Sequence, residues 1–317
     1  MDERHEEEIK PIARLYLMRN ITHEELDEAD KLWMGKLESQ ELVGFSHFRD
    51  KVKSRIANGV SHHGEKLPWP KTFVLVRLRP AEVSVWAGVN GHGKSLILGQ
   101  VMLWLPPEQK VLIASLEMPG EATIARMCQQ TLTTGLPTER YIDDFIEATN
   151  NFYLYDVTGT VHRDKILSLC YYAGKVLGVD HIVLDSLVKF GIRLDDFSGQ
   201  KDFVNALCAI AKETGTHIHL VHHMKKGERE GEDPDKWGIK GAGEITDLAD
   251  NVFIQHRCKD KEKAVEDGKE VNELDPDAKL FCVKQRHGEW EGKFALYFDK
   301  TSHQFMGGPE SRLRWRL

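Results

Sequence analysis

The chain has 317 residues, of which 41% are hydrophobic and 29% charged, a composition that excludes a disordered or fibrous protein. Its net charge of −7 excludes the uniformly basic surface of proteins that bind nucleic acid without selectivity. No apolar run approaches the roughly 18 residues of a membrane span, and the five cysteines form no CxxC pair. We therefore expect no membrane partner and a cytoplasmic protein with reduced thiols, in the host cytoplasm if a phage or plasmid encodes it.

The negative charge is concentrated in two segments. Residues 1–45 carry a net charge of −6 and residues 258–278 a net charge of −4, which leaves +3 for the rest of the chain. We predict that residues 1–44 form an acidic helical N-terminal segment, because Thr22 and Glu25 fit a capping box. For residues 258–278 we predict a solvated β-hairpin or loop.

Residues 45–77 are predicted to be a linker helix followed by a Pro/Gly linker. Phe45, Phe48, Val52 and Ile56 recur at helical spacing, and the segment GEKLPWPK that follows contains two prolines and a glycine. The apolar stripe of this helix must pack either on its own domain or on a neighbouring copy of the chain. The sequence leaves both alternatives open.

A phosphate-binding motif follows the predicted strand 82–87. The sequence from Gly88 to Ser95 is G-x-x-x-x-G-K-S, the P-loop pattern. Its glycines let backbone N–H groups converge on phosphate oxygens, Lys94 reaches the β- and γ-phosphates, and the Ser95 hydroxyl binds Mg²⁺. We therefore predict ATP and Mg²⁺ as cofactors, with the nucleotide held by Gly88, Asn90, Gly91, His92, Gly93, Lys94, Ser95 and Leu96.

Short runs rich in β-branched residues recur along the rest of the chain, separated by segments long enough for crossover helices. These runs are 110–115, 152–155, 181–184 and 217–221. The alternation predicts an α/β fold with a mostly parallel sheet flanked by helices. Ligands of such sheets bind at the carboxyl ends of the strands, so we expect the chemistry of the protein at these ends.

Two carboxylates follow predicted strands. Asp185 closes the run 181–184, where an acidic residue is expected to complete the Mg²⁺ shell. Glu117 follows the run 110–115, and we expect it one strand over from the P-loop, within reach of a water that attacks the γ-phosphate. From position alone, Glu117 equally fits an acid at the amino end of a helix.

Together, the GKS P-loop, the Ser-Leu-Glu-Met-Pro segment 115–119 and the run closed by Asp185 and Ser186 resemble the RecA-like motor domain of DnaB-type replicative helicases. The phage helicase-primase motors and Twinkle belong to the same family. The resemblance implies a RecA-like P-loop NTPase core, here residues 78–306, preceded by the small helical segment. We predict that the basic residues 307–317 form a disordered tail.

The resemblance also implies roles for individual residues. Glu117 is the catalytic base, and His223, with His222 as the alternative register, senses the γ-phosphate. Arg286, with Lys284 beside it, enters the neighbouring subunit's site as an arginine finger. Arg257 and Phe298 lie against the adenine. The residues expected at DNA are Lys189, Arg193, Lys225, Lys226, Lys240, Gly241 and Gly243.

The function that the resemblance implies is a ring-forming, ATP-dependent replicative DNA helicase that moves 5′ to 3′ on single-stranded DNA. ATP is hydrolysed between the subunits of a homo-oligomer, expected to be a hexamer, and primase, polymerase or a loader are further expected partners. The alternative is a RecA-like recombinase, or a regulatory or assembly ATPase, that binds DNA without unwinding it. Four histidines at 217, 219, 222 and 223 lack the partners of a metal site, and we expect none there.

Overall fold

A computed structural model describes residues 45–58, 63–132, 135–193, 195–224, 242–313 and 315. The predicted N-terminal segment 1–44 lies outside the described residues. The strands are β1 (Val83–Gly88), β2 (Val111–Ser115), β3 (Phe152–Leu154), β4 (His181–Asp185), β5 (His217–His223), β6 (Asn251–Arg257), β7 (Ala278–Gln285), β8 (Gly292–Asp299) and β9 (Gln304–Met306). The helices are α1 (Arg49–Asn58), α2 (Lys94–Leu103), α3 (Gly120–Thr131), α4 (Glu139–Ala148), α5 (Arg163–Lys175), α6 (Phe197–Thr214), α7 (Ala242–Leu248) and α8 (Lys259–Glu266). Short 3₁₀ helices cover Phe45–Phe48, Pro70–Thr72 and Leu187–Lys189.

The strands form one sheet in the order β3-β2-β4-β5-β1-β6-β7-β8-β9. The first six strands in this order, β3-β2-β4-β5-β1-β6, pair in parallel. Strands β7, β8 and β9 then add antiparallel pairs at one side of the sheet. The predicted α/β class with a mostly parallel sheet is confirmed. The expectation that Glu117 lies one strand over from the P-loop is wrong, because β4 and β5 separate β2 from β1.

Both faces of the sheet are buried, as a central parallel sheet requires. One face packs on α5, α6 and α7, and the other on α2, α3, α4 and the segment before β1. Leu67, Trp69 and Leu78 are fully buried in this second core, and Trp69 Nε1 donates to the Phe305 carbonyl at 2.7 Å. The predicted linker therefore packs on the domain from Leu67 onward, since its tryptophan and leucines are too apolar to remain solvated.

Helix α1 and the turn before it carry the apolar stripe for which the sequence left two partners open. Phe45, Val52 and Ile56 are all exposed, with 97% of Phe45 accessible to solvent. The described residues of one chain thus leave these side chains exposed.

Two peripheral segments differ from their predictions. For residues 258–278 the prediction is a solvated β-hairpin or loop, and helix α8 departs from it, whereas residues 267–277 form a loop. The C-terminal tail packs on the domain: Arg312 pairs with Asp299, and the buried Leu313 donates its N–H to Gln304 Oε1 at 2.9 Å. Trp315 lies edge-on to Trp104 with ring centres 5.8 Å apart. The predicted disorder is therefore wrong for residues 307–313 and 315.

None of the helices described is long and apolar enough to cross a membrane.

Three histidines are buried together between β1, β4 and β5. Trp86 Nε1 donates to His219 Nδ1 at 3.1 Å, and His219 Nε2 lies 3.0 Å from His181 Nδ1. His217 Nδ1 donates to the Arg79 carbonyl, while its Nε2 lies 2.8 Å from Ser84 Oγ. His219 accepts at Nδ1 from Trp86 and must therefore donate from Nε2 to His181, so the rings of His219 and His181 are both neutral. Burial holds the pKa of all three below the ordinary value, that of His217 at about 4.

We expect this cluster to make the fold sensitive to acid. In the unfolded chain the histidines titrate near pH 6.5. Below this pH the unfolded chain therefore binds protons that the folded chain does not bind, because the pKa of each buried ring is lowered. Stability is therefore complete above about pH 6.5 and falls by about 1.4 kcal/mol per pH unit for each histidine as the pH approaches 5. Urea melts between pH 7.5 and 5 measure this slope, and His217→Gln should reduce it. A slope that His217→Gln leaves unchanged would contradict the assignment.

Candidate nucleotide site

The P-loop joins the carboxyl end of β1 to the amino end of α2. Gly91 and Gly93 have φ angles of +80° and +84°, in the left-handed region that residues with a Cβ rarely adopt. A Cβ on Gly93 would also lie 2.9 Å from Cζ of Phe305, which underlies the loop. The backbone therefore requires glycine here. The loop and the first turn of α2 are together suited to bind an anion.

Lys94, the first residue of α2, points into the loop. Its Nζ donates to the carbonyls of Gly88 at 2.9 Å and Val89 at 3.1 Å. Burial lowers the pKa of Lys94, while the carboxylates of Asp185 and Glu117 raise it. A phosphate oxygen would take the place of these carbonyls as the partner of the ammonium group.

Ser95 and Asp185 meet at the mouth of the P-loop. Asp185 is the last residue of β4 and is only 5% exposed, and its carboxylate is hydrogen-bonded to the Ser95 hydroxyl. Burial raises the pKa of Asp185, and the bond from Ser95 opposes this shift. A hydroxyl beside a carboxylate is a donor set that fits Mg²⁺, which takes its remaining ligands from phosphate and water.

Glu117 reaches the same site although its strand is not next to β1. Its Oε1 accepts a hydrogen bond from Ser186 Oγ at 2.8 Å and lies 3.3 Å from His223 Nε2. Burial alone raises the pKa of Glu117, but the bond from Ser186 and the nearby His223 outweigh burial and hold it below the ordinary value. Glu117 is therefore an ionised carboxylate beside the P-loop at neutral pH.

His223 ends β5 and faces Glu117. Its Nε2 lies 2.9 Å from Ser186 Oγ. Burial and the positive charge of Lys94 lower the pKa of His223, so the ring is neutral at physiological pH. His222, the alternative register, also lines the pocket, but the ring that contacts Glu117 is that of His223.

A cavity of about 800 Å³ joins these groups, except that Asp185 lies outside its walls and is bonded to Ser95. Its walls are Asn90, Gly91, Gly93, Lys94, Ser95, Leu96, Glu117, Arg126, Val188, Lys189, Gln200, His222, His223 and Met224. Sequence reasoning missed Arg126, Val188, Gln200 and Met224 in this wall, because no motif marks them. Ser186, which belongs to the Asp-Ser motif but was given no role there, is fully buried behind the wall.

Arg126 is the missed residue with the clearest chemistry. It lies on α3, where its Nη1 contacts Met118 Sδ at 3.2 Å and its buried Nε bonds to no described residue. Burial lowers its pKa, and the nearby Asp185 raises it. A guanidinium with an unused N–H in this wall is suited to a phosphate oxygen. The only sequence signal was an arginine nine positions after Glu117 on an amphipathic helix.

Arg257 and Phe298, expected against the base, lie at the same edge of the sheet. Arg257 donates its backbone N–H to Nδ1 of His92 at 3.2 Å and ion-pairs with Glu262 of α8. Burial and the neighbouring His256 lower the pKa of His92 to about 4, so it is a neutral acceptor. The Phe298 ring lies 5.1 Å from that of Phe305, which underlies the P-loop. Both residues thus flank the loop.

Lys284 and Arg286 do not join this site. They lie at the end of β7, which pairs with the amino end of β6 at the opposite edge of the sheet. Lys284 Nζ donates to the carbonyls of Thr246 and Asp247 at the end of α7, and Arg286 Nη2 donates to those of Asp247 and Leu248. Arg286 Nε also pairs with Asp250 at 3.2 Å. In one chain these cations cap a helix.

The expected DNA residues are only partly described. Lys189 lines the cavity, and the exposed Arg193 pairs with Asp195 at 3.0 Å. Gly243 lies in α7. Four of the expected residues lie outside the described part of the chain: Lys225, Lys226, Lys240 and Gly241.

The described part of the chain contains no group of three histidine, cysteine or acidic side chains that could hold a metal ion.

Comparisons with known proteins agree with this fold. The family described as "AAA domain" has a model that matches residues 60–229, more than half of the chain. A solved structure described as an ATPase domain superposes with a TM-score of 0.69 at 15% identity, over 84% of this chain and 99% of that chain. A DnaB-like replicative helicase, solved in a study of its interactions with primase, superposes with a TM-score of 0.65 at 16% identity, over 96% of this chain and 77% of that chain. No curated protein matches the sequence. The similarity of the motifs to DnaB-type helicases is thus accompanied by a shared RecA-like fold.

Proposed function

Because the chain belongs to the AAA domain family, we propose that it is an ATP-dependent replicative DNA helicase that assembles as a ring, a hexamer by analogy, and moves 5′ to 3′ on single-stranded DNA. The observation that carries the proposal is the convergence of Lys94, Ser95 and Glu117 in one cavity at the carboxyl edge of the sheet, together with the hydrogen bond between Ser95 and the buried Asp185. Phosphoryl transfer to water needs this set: a cation, a metal-binding pair and a base.

Each residue has one task in hydrolysis. The P-loop N–H groups and Lys94 hold the phosphates, and Ser95 and Asp185 hold Mg²⁺. The metal ion, when bound, neutralises charge that develops on the phosphate oxygens. Glu117 orients the attacking water and accepts its proton, and its lowered pKa keeps it ionised for this step. His223, in contact with Ser186 and close to Glu117, is the group that responds to the γ-phosphate.

Hydrolysis between subunits accounts for the position of Arg286. This residue lies at the sheet edge opposite the P-loop, so it can serve a nucleotide only in another copy of the chain. The exposed stripe of α1 supplies a second reason for assembly, since apolar side chains such as Phe45 and Ile56 gain by burial against a neighbour.

The DNA contacts proposed are those of Lys189, Arg193, Lys225, Lys226, Lys240, Gly241 and Gly243. In a ring, few cations per chain suffice because each is repeated around one phosphate backbone. Lys189 also lines the nucleotide cavity, so DNA held there would lie beside the ATP site. Primase, polymerase or a loader are the further partners we propose, since a structural neighbour was solved in a study of its interactions with primase.

The proposal predicts ATP hydrolysis that single-stranded DNA stimulates, together with strand displacement on forked duplexes. The steady-state ATPase rate with and without oligonucleotide, and unwinding of forks with a 5′ or a 3′ tail, measure both activities. Lys94→Ala is the control and should abolish both. Stimulated hydrolysis without displacement on either fork would favour the alternative, a RecA-like recombinase or assembly ATPase. No hydrolysis by the purified oligomer would overturn the proposal entirely.

A further inference from the structure

We infer that Ser186 is the positioning residue of the catalytic base: its hydroxyl fixes one carboxylate oxygen of Glu117, links it to His223, and leaves the other oxygen for the attacking water. The inference rests on the proposed hydrolysis of ATP at this site and is independent of DNA translocation. Ser186 does not touch the nucleotide and acts through Glu117.

The Ser186 hydroxyl has two side-chain partners among the described residues, Glu117 and His223. Its side chain is fully buried, directly after Asp185 at the end of β4. Its Oγ lies 2.8 Å from Glu117 Oε1 and 2.9 Å from His223 Nε2. These two partners come from the ends of β2 and β5, the strands on either side of β4. The hydroxyl therefore bridges two chain segments that share no hydrogen-bonded strand pair.

The count of protons determines the direction of each hydrogen bond. A hydroxyl has one proton, and Ser186 donates it to the ionised Glu117. Ser186 can then only accept from His223, so the neutral ring must carry its proton on Nε2. The same N–H also points toward Glu117 Oε1 at 3.3 Å. His223 Nδ1 is buried and bonds to no described residue, which agrees with this tautomer.

The two oxygens of Glu117 consequently differ. Oε1 faces two donors, the Ser186 hydroxyl and the His223 N–H. Oε2 receives a hydrogen bond from none of the residues that the structure describes. The water that attacks phosphate would therefore be held and deprotonated by Oε2. Without the Ser186 hydroxyl, the carboxylate keeps only the longer contact with His223, and it loses a bond that lowers its pKa.

The test is Ser186→Ala in the full-length protein, measured as steady-state ATP hydrolysis without DNA. We expect kcat to fall about 10- to 100-fold because the base is misplaced, with KM for ATP changed less than two-fold. The acid limb of the kcat–pH profile should move to higher pH, since the pKa of Glu117 rises. Ser186→Cys, similar in size but a much weaker donor, should behave like alanine, and Ser186→Thr should recover part of the rate.

Ser168→Ala is the matched control. Ser168 is also fully buried, and its hydroxyl donates only to the Asp164 carbonyl within α5, so its loss should leave kcat and the profile unchanged. A kcat within two-fold of wild type for both Ser186→Ala and Ser186→Cys, or an unshifted acid limb, would overturn the inference while the proposed ATPase stands. If wild type hydrolyses no ATP, the proposed function fails and this inference fails with it.

Discussion

Replacing Glu117 by glutamine should yield a protein that binds ATP with nearly unchanged affinity but hydrolyses it at least about 100-fold more slowly. The glutamine side chain has almost the same shape, and its carbonyl oxygen still accepts the bond that Ser186 gives to Oε1. Its amide nitrogen replaces Oε2 and cannot accept a proton from water. The rate of hydrolysis should therefore fall while the affinity for ATP is kept, because Lys94, Ser95 and Asp185 remain in place.

Single-turnover hydrolysis and the Kd for a fluorescent ATP analogue separate these two effects. Glu121→Gln is the matched control, since Glu121 is an exposed acid four residues further along the chain, in the first turn of α3. It should retain the wild-type rate. Turnover by Glu117→Gln within about five-fold of wild type would remove Glu117 as the base, because a positioned general base contributes about 10²–10⁴ in rate.

Arg286→Ala is expected to lower ATP hydrolysis by about 10³-fold if its guanidinium completes a neighbour's site, the effect typical of an arginine finger. A purely structural role is the competing explanation, since Arg286 bonds to the carbonyls that end α7 and to Asp250. The rate by itself cannot separate the two explanations. Mixing variants can, because a finger and its P-loop lie on different chains.

In the mixing experiment, Arg286→Ala chains retain Lys94, and Lys94→Ala chains retain Arg286. In a randomly mixed ring with head-to-tail contacts, about one interface in four joins the intact P-loop to the intact arginine. We therefore expect about a quarter of the wild-type ATPase rate from two inactive proteins. Lys284→Ala, which removes a contact with the same end of α7, reports any loss of folding through its melting temperature. No recovery in mixtures shown to co-assemble would assign Arg286 to its own chain's helix cap.

The P-loop and Asp185 could be found from the sequence because their chemistry is local. A turn with two left-handed glycines needs Gly91 and Gly93, and a buried strand that ends in a carboxylate shows itself as an apolar run followed by Asp185. The order of the strands in the sheet could not be predicted from such local sequence patterns. The sequence placed Glu117 beside the P-loop strand, whereas β4 and β5 intervene, because strand order depends on crossover connections and not on neighbouring residues.

The sequence by itself determined the fold class, the phosphate-binding loop and the identity of the acidic candidates, since short-range backbone geometry and periodic burial leave direct marks in residue order. Only the tertiary structure decided that Ser186 joins Glu117 to His223, that Arg126 enters the cavity wall, and that the tail and the segment from Leu67 belong to the core. It also decided that Arg286 faces away from its own nucleotide site. These facts depend on side chains far apart in the chain, whose contacts are selected by packing and hydrogen-bond satisfaction across the whole domain.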